Sequence, residues 1–248
     1  MERATRMLAR AKHVVVLTGA GISAESGIRT FRDTMRGLWK DFDPATLATP
    51  EAFARDPEVV TRWYDHRRLG CLAAEPNAGH TALVAIERGL IRRGGRFTLL
   101  TQNVDRLHHR AGSANVHELH GTIVVWRCTA TGNELEPPPS PFREFPPRSA
   151  WGGLLRPAVV WFGEMLPIPA LDAAARALRT CDCFMSVGTS SAVYPAAGFV
   201  DLAAASGSGT IEVNPQETPA SGRFDVSIRA RAGAALPELA ARAFGTGT

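Results

Sequence analysis

Short, almost wholly apolar runs alternate along the chain with longer alanine-rich stretches. His13-Val-Val-Val-Leu-Thr18 is one such run, and it ends in Gly19-Ala-Gly21. It reads as a buried parallel strand that delivers a tight glycine turn. Comparable runs recur at residues 97–100, 181–187 and 210–213, and helical stretches occupy 170–178, 196–205 and 236–243. Strands alternating with helices predict an α/β fold built on a doubly wound parallel sheet.

Two segments break the alternation. Residues 31–71 are rich in charge and aromatics without strand periodicity, and 121–155 contain the run Glu136-Pro-Pro-Pro-Ser-Pro-Phe-Arg-Glu-Phe-Pro-Pro147. Insertions of this kind form a second, smaller domain over the sheet, with a binding cleft between the two. The proline run itself reads as a stiff loop.

Gly19-x-Gly21-x-x-Ala24 directly after a strand matches the dinucleotide fingerprint, in which small residues let the backbone approach a pyrophosphate at a helix N-terminus. A hydride-transfer enzyme would continue into a second strand ending, about 20 residues on, in an acid that holds the ribose. Here that distance falls in Arg36-Gly-Leu-Trp-Lys-Asp-Phe-Asp43, where acids lack a preceding strand. Three polar clusters, each after an apolar run, can complete a nucleotide site instead: Thr101-Gln-Asn-Val-Asp105, Gly188-Thr-Ser190 and Asn214-Pro-Gln216. Each alone is equally a turn or helix cap, but ligands of open α/β sheets bind outside the carboxyl ends of strands, where these clusters converge.

Composition narrows the class. A chain of 248 residues, 45% hydrophobic and 21% charged, bears a substantial core and no membrane-spanning apolar stretch. The net charge of +4 is spread over scattered arginines with no aromatic-interleaved basic run, so neither nucleic acid nor membrane is expected as a partner. The first ten residues read as an ordinary helix and not a presequence. Cys71, Cys128, Cys181 and Cys183 are too few for a disulfide framework, which makes a reducing cytoplasm the expected compartment. Cys181 and Cys183, alternating in one strand, are expected to share a face as core thiols. His117 and His120 would face opposite sides of a strand, an unfavourable metal pair. His80 is expected near a helix start, and His108 and His109 as surface or capping residues.

At this point the chain resembles the sirtuin family. Gly19-Ala-Gly-Ile-Ser-Ala-Glu-Ser-Gly-Ile-Arg-Thr-Phe-Arg32, Thr101-Gln-Asn-Val-Asp105, Leu119-His-Gly121, Val160-Trp-Phe-Gly-Glu164, Gly188-Thr-Ser190 and Val213-Asn-Pro215 stand in that family's order and spacing. The resemblance implies an NAD-dependent protein deacylase in which NAD is a co-substrate. Its Rossmann-like domain would comprise 1–30, 76–121 and 156–248. The inserted domain, 31–75 and 122–155, would be a helical module plus a degenerate zinc-ribbon-like module.

By the same resemblance, Gly19, Ala20, Gly21, Ile22 and Ala24 would hold the pyrophosphate and nicotinamide ribose, with Phe31 and Arg32 over the cofactor. Gln102, Asn103 and Asp105 would line the nicotinamide side, Asn103 as a catalytic residue. Gly188, Thr189, Ser190 and Asn214 would contact the adenosine half. Val160, Trp161, Phe162, Gly163 and Glu164 would run beside an acyl-lysine peptide as a strand partner. The acyl oxygen attacks the ribose carbon that carries nicotinamide, and a ribose hydroxyl then attacks the product of that step. The second attack needs a base that titrates near neutrality, and His120 matches the family's base. Free lysine, nicotinamide and O-acyl-ADP-ribose are the implied products. Two other readings remain at this stage: mono-ADP-ribosyl transfer to a protein nucleophile, and a non-catalytic NAD-binding module.

Tyr64 and Arg67, at i and i+3, share a helical face, where a guanidinium beside a phenol would suit a terminal carboxylate. By spacing alone a packed tyrosine beside a solvated arginine is the better reading. They coincide, however, with the pair that marks the succinyl-, malonyl- and glutaryl-removing branch of the family. Members usually hold a structural zinc on two C-x-x-C pairs. Here only Cys128 remains, with Thr131 three residues on and Arg148 and Trp151 near the second pair. No structural zinc is expected, and Phe142, Phe145 and Trp151 are expected to pack in its place. The chain is expected to act as a monomer.

Overall fold

The computed structural model describes residues 1–28 and 44–245. Six parallel strands form the main sheet in the order β3-β2-β1-β7-β8-β9, comprising β1 (His13–Thr18), β2 (Arg96–Thr101), β3 (Val116–Glu118), β7 (Cys183–Val187), β8 (Gly209–Val213) and β9 (Val226–Ile228). Every strand of β1 and β7 is buried along its length, as an apolar run covered on both faces must be. Successive residues of β1 take opposite sides. Val14 and Val16 join Leu8, Leu83, Ile86, Leu236 and Leu239 of helices α1 (Glu2–Arg10), α6 (Ala78–Arg92) and α10 (Ala232–Phe244). Val15 and Leu17 join Ala174, Leu178, Phe199 and Val200 of α8 (Ile168–Leu178) and α9 (Phe199–Ala205). The sheet is thus doubly wound, as the alternation of runs implies.

An antiparallel sheet of order β5-β4-β6 holds the second core: β4 (Gly121–Cys128), β5 (Glu134–Leu135) and β6 (Leu155–Val159). Strand β6 lies in the stretch read from sequence as part of the large domain from 156 onward. Beside this sheet stand α3 (Pro44–Leu47), α4 (Pro50–Arg55) and α5 (Pro57–Ala73). Asp56 caps α5 by accepting the Val59 N–H at 3.0 Å, and Pro57 presets its first turn. Trp63, Tyr64, Ile123, Trp126, Phe142 and Trp161 form the shared core.

The proline-rich loop is clamped to α5. Asp65 accepts the Phe142 N–H at 2.9 Å and the Ser140 hydroxyl, while Arg68 donates to the Pro138 carbonyl at 2.9 Å. Phe142 packs edge-on against Trp126, and Phe145 adjoins Phe142, so both aromatics pack in this module. Trp151 does not: its side chain is 48% exposed, because it rides a turn (Ser149–Gly152) that projects beyond the core.

Two further expectations fail. The strand starts at Cys183, so Cys181 lies in the preceding turn and enters the core on the opposite face of the sheet from Cys183. His108 is neither a surface nor a capping residue but is 1% exposed. In helix α7 (Leu107–Ala111) His108 faces inward onto Thr18 and His80, and the outward position falls to His109.

The two sheets meet at Gly121, whose φ is +69° and whose missing Cβ would stand 2.0 Å from the Ala158 carbonyl oxygen. We expect Gly121→Ala to lower folding stability by more than about 3 kcal/mol, measured by denaturant melts, since both strain and collision act at once.

Candidate active site

Parallel register places Thr18 opposite both Thr101 and Val187, and Val187 opposite Val213. The polar clusters that follow these residues therefore leave one edge of the sheet together, and the order of winding reverses between β1 and β7. Helix α2 (Ala20–Ser23) starts there.

The glycines serve a purpose the sequence did not reveal. Gly19 N–H donates to the Val187 carbonyl at 3.0 Å and Gly21 N–H to the Gly188 carbonyl at 2.9 Å. A Cβ on Gly21 would lie 2.7 Å from that carbonyl oxygen, and one on Gly188, at φ +60°, would lie 2.6 Å from the Ile22 nitrogen. The two loops interlock backbone to backbone. Bareness here admits a neighbouring loop, whatever else it admits.

Around this joint the named residues fall as follows. Ala20 and Gly21 are partly exposed and Ala24 is exposed, but the Ile22 side chain is fully buried in the core. Thr189 is buried, its hydroxyl bonded to those of Ser186 and Ser191, and Asn214 donates to the Thr189 carbonyl at 2.7 Å. Ser190 is exposed. Phe31 and Arg32 lie outside the described residues. The open strand ends, with hydroxyl and amide groups on Ser190, Asn214 and Gln102 beside a helix start, fit the polar demands of a dinucleotide.

Asn103 is 8% exposed, and its side-chain amide donates to the Gly19 carbonyl at 3.1 Å and the Ser23 hydroxyl at 3.0 Å. Asp105 caps α7 through the Leu107 N–H at 2.9 Å. Burial raises its carboxyl pKa against the pull of that N–H and of Ser23. Sequence reasoning singled out neither Ser23 nor Thr18. Both sit inside quoted motifs, and only the fold shows them as partners of Asn103 and His108.

His120 follows β3 and precedes β4. Its Nδ1 lies 3.1 Å from the Gln102 carbonyl oxygen, which can only accept, so Nδ1 carries the proton and Nε2 presents a lone pair. Its own carbonyl accepts the Val160 N–H at 3.0 Å, tying the ring's backbone to the end of β6. Burial lowers the imidazole pKa, partly offset by the Gln102 bond.

After Val159 the chain leaves the sheet. Trp161 is buried, Phe162 is 48% exposed, and Gly163 turns at φ +86°. Glu164 does not stand open: it pairs with Arg156 at 2.5 and 3.0 Å and accepts the Trp161 N–H at 2.9 Å, closing the turn. Arg156 in turn lies 3.3 Å over the Trp161 ring. On α5, Tyr64 meets Trp161 at 6.1 Å between ring centroids, and the Arg67 guanidinium lies 4.7 Å over Trp63 and 5.8 Å from the Tyr64 centroid. Burial raises the Tyr64 phenol to about 12, opposed first by Arg67. The expected face-sharing of Tyr64 and Arg67 is present.

Residues 19–195 match the model of the Sir2 family. The chain belongs to the Sir2 family. An NAD-dependent protein deacylase of Thermus thermophilus is 51% identical over 92% of this chain and 89% of its own. A Sir2 homologue solved as an NAD complex superposes with a TM-score of 0.91 at 45% identity, covering 98% of this chain and 93% of that one. Another, a mutant holding 2'-O-acetyl ADP ribose, gives 0.90 at 45% identity over 98% and 96%. This Sir2 member is accordingly an NAD-dependent protein deacylase, and among its described residues no helix is long and apolar enough to cross a membrane.

Because burial outweighs the one bond that favours protonation, the His120 ring stays neutral to a more acid pH than a free imidazole. In a proton NMR titration its Cε1 proton should shift with a midpoint below 6.5, the ordinary value.

Proposed function

We propose that this deacylase removes succinyl, malonyl and glutaryl groups, as well as acetyl, from lysine side chains of proteins. Nicotinamide, O-acyl-ADP-ribose and free lysine are the products. The observation that carries the acidic preference is the Tyr64–Arg67 pair. The guanidinium is held over aromatic faces of α5, and the phenol keeps its proton far above neutrality. A cation and a hydroxyl donor on one face suit a carboxylate at the end of an acyl chain. Trp161, against Tyr64, continues through Val160 to His120, so the same chain of contacts leads from the acyl end to the proposed base.

In this reading Nε2 of His120 takes the proton of a ribose hydroxyl, while Asn103 and Gln102 face the nicotinamide end. The turn at Gly19–Ala24, the loop Gly188-Thr189-Ser190 and Asn214 bind the rest of NAD. The segment Val160–Glu164 receives the peptide. A neutral imidazole with its second nitrogen locked on a carbonyl suits general-base work. Mono-ADP-ribosyl transfer would use the same sugar but has no need of the Tyr64–Arg67 pair.

The small module does not fit a structural zinc. Near Cys128 stand Thr131, Ser149 and Gly153, and among the described residues no three His, Cys, Asp or Glu side chains gather. Ser149 donates to the Cys128 sulfur at 3.0 Å, and this bond is the chief cause that draws the thiol below its usual range. A Cβ on Gly153 would fall 2.6 Å from that sulfur, so the Gly153 backbone packs close beside it. The Asp65 and Arg68 clamps hold the loops instead.

One peptide carrying acetyl, succinyl, malonyl or glutaryl lysine, assayed with and without NAD, tests the proposal. Arg67→Met should reduce kcat/KM on succinyl-lysine by about 100-fold, the worth of a charge-assisted pair, and leave acetyl-lysine within about threefold. Equal loss on both substrates, in folded protein, would refute it. Metal analysis of purified, tag-free protein should find far less than one zinc per chain, and stoichiometric zinc would overturn the reading of Cys128.

A further inference from the structure

Behind the strand ends, two imidazoles lie side by side in the core. His80, in the first turn of α6, is fully buried, and His108 of α7 is 1% exposed. Their ring centroids are 4.8 Å apart and their planes inclined by 58°. Burial drives both pKa values down, to about 4 and about 3, so each ring carries one N–H and one lone pair.

Neighbours decide which nitrogen holds the proton. His80 Nδ1 accepts the Asn77 N–H at 3.3 Å, which leaves the proton on Nε2. His108 Nε2 lies 2.9 Å from the Thr18 hydroxyl oxygen, but Thr18 donates its only proton to Thr101 at 2.8 Å. His108 must therefore donate from Nε2, which leaves Nδ1 bare. Neither His80 Nε2 nor His108 Nδ1 has a hydrogen-bond partner. One of these atoms is a donor and the other an acceptor, on adjoining rings. A buried donor and a buried acceptor left unmet each destabilise the fold, whereas a small ring rotation or one enclosed water would satisfy both.

We propose that His80 and His108 are positioning residues, links in a one-way hydrogen-bond relay that runs Asn77, His80, His108, Thr18, Thr101 and fixes both walls of the NAD pocket from behind. At its far end Thr101 Oγ1 accepts the backbone N–H of Asn103 at 3.1 Å. At its near end Asn77 donates through its side chain to the Ile22 carbonyl at 2.8 Å and the Ser26 hydroxyl at 2.9 Å. Asn103 closes the circuit on Gly19 and Ser23. Neither histidine touches substrate; they set the loop that does. The kinetic part of the inference rests on the placing of Asn103 beside nicotinamide.

The tautomers are tested first, in the ligand-free full chain labelled with 15N-histidine. Both rings should appear as neutral Nε2–H forms at pH 7 and remain neutral at pH 6. A proton on His108 Nδ1, or a charged ring at pH 6, would overturn the relay without bearing on NAD chemistry. Kinetics then compare His108→Phe, which cannot donate, with His108→Gln, whose amide can reach Thr18. His108→Phe should raise the KM for NAD about tenfold and weaken nicotinamide inhibition similarly, the scale of one lost hydrogen bond. The KM for acyl peptide should stay within about twofold, and Gln should recover most of the loss. Equal falls in Tm for both variants with unchanged NAD kinetics would reduce the pair to a structural role. Should Asn103→Ala leave nicotinamide inhibition intact while the tautomers stand as stated, the nicotinamide assignment fails and the relay does not.

Discussion

The backbone contact between the glycine turn after β1 and the loop after β7 governs the rest of the molecule. Two parallel strands deliver their chains to one edge, and the loops can lie against each other only because Gly19, Gly21 and Gly188 lack side chains. A side chain at any of the three would collide with the opposite backbone and force the loops apart where the winding of the sheet reverses. The hydrogen bonds from Gly19 and Gly21 to Val187 and Gly188 then fix the spacing. Asn103 and Asn214 take their places relative to that joint, since the Asn103 amide donates to the Gly19 carbonyl and the Ser23 hydroxyl, and the Asn214 amide to the carbonyl of Thr189, next to Gly188. Pocket shape is thus inherited from backbone packing, not from the polar residues that line it.

The small module meets a different constraint, that of too little core for its length of loop. A metal would staple such loops outright. This chain instead anchors them to one helix. Asp65 and Arg68 satisfy backbone groups of the proline-rich segment, and Phe142 fills the space beside Trp126. The same helix carries Tyr64 and Arg67. Rigidity of the loop module and orientation of the proposed acyl-recognising pair therefore depend on a single element, α5, whose N-cap and first-turn proline set its start.

Much of this was legible in the order of residues. The run at His13–Thr18, its glycine turn and the polar clusters at Thr101 and Gly188 are local patterns, and the register that unites them follows from a parallel sheet. Short edge strands such as β3 and β9 carry no periodicity that three residues could express. Cys181 and Cys183 deceived because alternation implies a shared face only if the strand already runs through both. His108 deceived because the exposure of adjacent residues in a five-residue helix is set by what packs on it, and Thr18 lies 90 positions away. Trp151 shows the converse: an aromatic in the turn near Cys128 is not thereby a core residue.

His80, His108 and His120 are all pushed toward neutrality by burial, and burial alone does not distinguish them. Their second partners do. The first pair have complementary unmet atoms buried in the core, which the proposed relay joins to each other. His120 has its Nδ1 proton on the Gln102 carbonyl and sits where β3 gives way to β4, partly open to the pocket. Its remaining lone pair meets no donor among the described residues. In the proposed function an imidazole serves as base when the fold satisfies one nitrogen and leaves the other for a ligand, and this condition sets His120 apart from the buried pair.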